Sequence, residues 1–104
     1  MAIRRACSYA ATITTPEAPG EYSAILVSFA QNGQNLVNLD QDSPALIIES
    51  DSVTARLTQE QTKQFTAGEP AFLQIRAYKS AYDAPGSKVW AIDVYDSLNT
   101  EVLS

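Results

Sequence analysis

The chain has 104 residues, 45% hydrophobic and 18% charged, which suits one soluble domain spanning residues 1–104 around a single core. Twelve acidic against seven basic residues give a net charge of −5, which argues against nucleic-acid binding through a basic surface. With no histidine and one cysteine (Cys7), the sequence lacks the side chain best suited to proton transfer and zinc binding, and it cannot close an intrachain disulfide.

In chain order, the hydrophobic pattern has a period of two, the signature of half-buried strands. The start, Met1-Ala-Ile-Arg-Arg-Ala6, carries the charges of a signal peptide without an apolar stretch behind them, so the chain is expected to stay in the cytoplasm or in something assembled there. Cys7, Tyr9, Ala11 and Ile13 alternate with polar or small residues and read as the core side of a first strand. Thr15–Gly20, with two prolines, is a break. Tyr22–Ala30 reads as a second strand with Ile25, Val27 and Phe29 inward. Asn32-Gly33 then links it to Leu36, Val37 and Leu39 through a hairpin, because both residues tolerate the positive φ of a type I′ turn. Asp40–Pro44 is a polar turn. Ala45–Glu49 and Val53–Leu57 are short strands, the second with Val53, Ala55 and Leu57 on one face.

Thr58 followed by Gln61 fits a capping box and opens a short helix over 58–65, ended by Gly68 and Pro70, with Phe65 expected to plug the core. Ala71–Lys79 is the longest clean alternation: Leu73, Ile75 and Ala77 inward, Phe72, Gln74, Arg76 and Tyr78 outward. Ala81–Ser87 is a loop, and Lys88–Tyr95 a last strand with Trp90, Ile92 and Val94 inward. Some seven strands and one brief helix predict an all-β fold, a single Ig-like antiparallel sandwich with Greek-key character.

Chemistry-bearing residues are sparse. Cys7 lacks a base to activate it and reads as a small core hydrophobe. Asp40, Asp42, Glu49 and Asp51 match no calcium-loop spacing and read as solvated turn carboxylates. No phosphate loop, metal-spaced cluster or nucleophile elbow appears in the sequence, so catalytic, cofactor and metal sites are all expected to be absent. The outward rows carry more information. Phe72, Gln74, Arg76 and Tyr78, with Asp93 and Tyr95 on the next strand and Tyr82 between, combine aromatic area with polar handles, as interfaces do. The plainer reading of the same row is a solvated face with an Arg76–Asp93 cross-strand pair.

The segments Leu26-Val-Ser-Phe-Ala-Gln-Asn-Gly33, Ser52-Val-Thr-Ala-Arg-Leu-Thr-Gln-Glu-Gln-Thr-Lys-Gln-Phe65 and Phe72-Leu-Gln-Ile-Arg-Ala77 resemble a small family of virion structural proteins. These occur in tailed bacteriophages and prophages of Gram-positive bacteria. Val53–Phe65, Leu73–Arg76 and Leu98–Leu103 follow the family pattern in order; Arg5-Ala-Cys-Ser-Tyr9 departs from its usual start, and Gln61 replaces a glutamate. The resemblance implies a non-enzymatic particle component of head, neck or tail. It would be made in the host cytoplasm, reside in the virion and assemble with itself and with capsid, connector or tail proteins, with no nucleic acid, membrane or cofactor. An alternative is a host-surface carbohydrate-binding module of a tail or baseplate, using Tyr78, Tyr82 or Tyr95. A small hydrolase is a third reading, kept only because carboxylates are plentiful.

Overall fold

A computed structural model describes residues 2–15, 19–80 and 89–97. These residues form eight strands: β1 (Ala2–Arg4), β2 (Tyr9–Thr14), β3 (Ala24–Gln31), β4 (Gln34–Asp40), β5 (Leu46–Ile48), β6 (Ser52–Leu57), β7 (Ala71–Tyr78) and β8 (Trp90–Tyr95). One α-helix, α1 (Gln59–Thr62), lies between β6 and β7, and a 3-10 turn covers Pro19–Glu21. The strands form a five-stranded sheet, β1-β8-β7-β3-β4, and a three-stranded sheet, β2-β6-β5. Taking the strands in chain order, β2-β6-β5 corresponds to B-E-D of an immunoglobulin sandwich and β8-β7-β3-β4 to G-F-C-C′ of its variable type. The fold is an all-β sandwich, as the alternation predicts.

The inward residues of both sheets meet in one core. Val27, Phe29, Leu73, Ile75 and Ile92 come from the large sheet, and Ile13, Val53, Ala55 and Leu57 from the small one. Burying a side chain of this size stabilises the fold by roughly 1.5–3 kcal/mol. Phe65 closes the core after α1, 1% exposed. The helix is short because its start is specified and its continuation is not. Thr58 accepts from the Gln61 amide at 3.2 Å while the Gln61 side chain accepts from the Thr58 amide at 2.9 Å. Beyond Phe65, Gly68, with φ of 85°, leaves helical space and donates its amide to the Val94 carbonyl at 3.0 Å.

Asn32 and Gly33 take φ of 55° and 75°, which gives the predicted hairpin between β3 and β4. The register shifts between Phe29 and Ala30, so that Leu36 is an extra residue on β4. That bulge reconciles the adjacent apolar residues Leu36 and Val37 with a strand that buries alternate positions. Gln31, 4% exposed, anchors the same end. Its Nε2 donates to the carbonyls of Thr66 and Glu69 at 2.8 and 2.9 Å, and its Oε1 accepts from the Thr66 amide at 2.6 Å.

The beginning of the chain departs from expectation. Ala2–Arg4 is a strand that the sequence does not announce, paired in parallel with β8 and burying Ile3 completely. The chain must then cross to the other sheet, and it turns through Ala6 at φ of 62°. Alternation therefore restarts at Tyr9, and Cys7 is left exposed in the turn rather than on the core face. Its Sγ lies 3.8 Å from the Ser97 hydroxyl. The crossing is held by Arg5, which donates to the Asp96 carboxylate at 3.0 Å and the Lys63 carbonyl at 3.2 Å. The expected loop at Ala81–Ser87 and the match at Leu98–Leu103 lie outside the described residues.

Candidate interaction face

The outer face of the large sheet is fixed by register. Along β7 the side chains alternate, so that Ala71, Leu73 and Ile75 are buried while Phe72, Arg76 and Tyr78 are exposed and Gln74 is half-buried. Opposite them on β3 stand Ala30, Ser28, Leu26 and Ala24, paired respectively with Phe72, Gln74, Arg76 and Tyr78. Asp40 on β4 pairs with Leu26, so one row across the face reads Arg76, Leu26, Asp40. On the other side of β7, Ala91 pairs with Phe72. Asp93 and Tyr95 follow along β8, beside Ala2 and Arg4 of β1. The Arg4 guanidinium stacks over the Tyr95 ring, 5.7 Å from its centroid, and donates to the Asp96 carbonyl at 3.0 Å.

The three rings on this surface are well exposed: Phe72 at 40%, Tyr78 at 46% and Tyr95 at 49%. Grooves flank them at both ends. One, of about 220 Å³, runs beside Tyr78 between Ala24, Leu26, Asp40, Gln41 and Arg76. The other, of about 340 Å³, runs beside Tyr95 and Asp93 against Gly68, Glu69 and Pro70.

The sequence-predicted row is thus on one face, with two corrections in its detail. The Arg76–Asp93 cross-strand pair does not form. Since Phe72 stands opposite Ala91, Asp93 lies level with position 70, and 76 − 70 = 6 residues separate the two groups along the strands. At about 3.3 Å per residue that is about 20 Å. Both are exposed, and neither makes an ion pair with any of the described residues. The second correction concerns membership. Arg4, Leu26 and Asp40 belong to the face although the sequence reading missed them. The alternation around Leu26 was visible, but placing it beside Arg76 required the pairing of β3 with β7. Tyr82 lies outside the described residues.

The loop acids do not converge, and no group of three potential metal ligands occurs among the described residues. Asp40 instead accepts from the Asp42 amide at 3.0 Å, a local turn bond. One titratable group stands apart. Tyr9 packs edge-on against Phe29, ring centroids 6.4 Å apart, with its hydroxyl buried and without a hydrogen-bond partner among the described residues. Burial pushes this phenol's pKa above its ordinary value, so it stays protonated at neutral pH and offers no base.

No protein-family model matches the chain, and no curated protein matches it. Among solved structures, the V domain of amphioxus IgVJ-C2 is similar over 88% of this chain and 96% of that one, at 8% identity and a TM-score of 0.39. The strand order and register of this chain, rather than that likeness, define its fold.

Proposed function

We propose that this chain is a non-enzymatic structural component of a bacteriophage particle, held in head, neck or tail by symmetric protein–protein contacts. The observation that carries the reading is the outer face of the large sheet, where Phe72, Tyr78 and Tyr95 are exposed together with Arg76 on rigid strands. Solvated sheet faces have little use for three open rings, and aromatic and arginine side chains are what docking surfaces favour. The motif resemblance supplies the setting. In a particle each contact is multiplied by copy number, so that a weak pairwise contact holds collectively. Mass spectrometry of gradient-purified particles is the test. Peptides of this chain in constant ratio to the capsid protein support the assignment, and their absence from intact particles overturns it.

A second reading draws on the groove beside Tyr78, where a ring lies next to Arg76, Asp40 and Gln41. A ring beside polar groups is how a sugar would be held, so a carbohydrate-binding role for a tail or baseplate is the alternative. Binding on a glycan array that Tyr78→Ala abolishes would favour it.

A further inference from the structure

The outer face of the large sheet is self-complementary along the strand direction. Number each level by the β7 residue that stands there. Carried past its last pair, Ala71–Ile92, the β7–β8 register puts Asp93 at level 70 and Tyr95 at level 68; the chain before Ala71 leaves that register, the Gly68 amide bonding to the Val94 carbonyl. The midpoint between Arg76 and Asp93 is (76 + 70)/2 = 73, and that between Tyr78 and Tyr95 is (78 + 68)/2 = 73. Phe72 and Gln74 straddle the same level, where β3 presents only Ala30 and Ser28.

We infer that a second copy of this chain docks on this face, across a two-fold axis lying in the interface perpendicular to the strands at the level of Leu73. A two-fold axis sends each contact to its mirror partner, so both halves must match at once. Here they do. Arg76 of each copy is set against Asp93 of the other and Tyr78 against Tyr95, each pair reaching across one strand spacing of about 4.8 Å. The ion pair that the register denies within one chain forms twice between two. Charge also permits it: the strand positions of the face carry Arg4 and Arg76 against Asp40 and Asp93, 2 − 2 = 0, on a chain of net −5. Four strands about 4.8 Å apart and levels 68 to 78 at about 3.3 Å cover roughly 600 Å² per copy. That is less than the roughly 800 Å² of a standard interface, so the isolated dimer is weak. The inference rests on the structural-assembly reading and names its partner and geometry.

Sedimentation velocity on the whole chain, from about 10 µM to about 1 mM, tests it. The wild type should shift from monomer towards dimer. Arg76→Asp and Asp93→Arg each place like charges across the axis and should weaken self-association at least about tenfold. An equimolar mixture of these two variants should associate again as a one-to-one heterodimer. In that mixture the acid introduced at position 76 of one copy meets the base introduced at position 93 of the other, and the unchanged Asp93 of the first meets the unchanged Arg76 of the second. Circular dichroism matching the wild type establishes that both variants fold. A monomeric wild type, self-association that neither variant weakens, or a mixture that fails to recover overturns the two-fold. Detection of the chain in purified particles is read separately, so a failure of the dimer and a failure of the particle role are distinguishable.

Discussion

On the small sheet, the outward positions of β2 and β6 are Ala10, Thr12, Thr14, Ser52, Thr54 and Arg56; on the large sheet, those of β7 and β8 are Phe72, Gln74, Arg76, Tyr78, Ala91, Asp93 and Tyr95. Both rows arise from the same alternation, and both back onto one shared core. They differ in what they show to solvent. Thr12 and Thr54 complete each other across the strands, hydroxyl to hydroxyl at 2.9 Å. Short side chains of this kind finish the β2 and β6 part of the face, beside which Ile47 of β5, opposite Thr54, stands 37% exposed without a ring or charge next to it on that strand. The other face holds rings about half exposed and two opposite charges about 20 Å apart along the strands. A pattern of period two therefore fixes which side faces the core, while the chemistry of the outward residues decides whether that side is a finish or a contact.

Substitutions graded by expected effect probe this contrast. The largest effect belongs to what the two sheets share. Phe65→Ala opens the core and should lower unfolding free energy by about 3–5 kcal/mol in urea titration, melting both sheets in one transition. Two separate transitions would break the comparison at its base. Gln31→Leu strips the buried amide from the carbonyls of Thr66 and Glu69 and from the Thr66 amide, and should cost about 2–3 kcal/mol by the same assay. Removing the cap with Thr58→Ala should cost about 1 kcal/mol and leave association unchanged.

Tyr9→Phe removes a buried hydroxyl that has no partner among the described residues, and should be neutral or stabilising by up to about 1 kcal/mol. The sign of its pH effect follows from the raised phenol pKa: Tyr9's neutral form is favoured in the folded state, so its contribution is complete below its ordinary pKa of 10.0 and lost as pH rises through the raised value. The phenylalanine variant should therefore keep more of its stability in alkaline denaturation curves. Smallest in stability are the outer faces themselves. Thr54→Ala and Tyr78→Ala should each move unfolding by about 0.5 kcal/mol or less, yet only Tyr78→Ala should reduce self-association.

Much of the sandwich was legible because burial repeats every second residue. Val53, Ala55 and Leu57, and likewise Leu73 and Ile75, stand where the alternation puts them, and Asn32-Gly33 and Thr58–Gln61 announce their turn and cap by residue type alone. What stayed hidden depends on partners remote in sequence. Ala2–Arg4 is too short to show a period, and Ile3 is buried because β8 lies beside it. Cys7 falls in phase with Tyr9 in the sequence but not in space, since the chain changes sheets between Arg4 and Tyr9. The candidate face was visible as a row of residues, whereas its register was not. That register turns Arg76 and Asp93 from an expected neighbouring pair into two ends of one surface.

The most direct measurement is a dilution series followed residue by residue, recording amide chemical shifts of the labelled chain as concentration falls. The account predicts shifts confined to Phe72–Tyr78, Ala91–Tyr95 and their β3 neighbours Ala24–Ala30, with Thr12, Ile47 and Thr54 unmoved. Concentration-dependent shifts on the threonine face, or none anywhere on the large sheet, would contradict it.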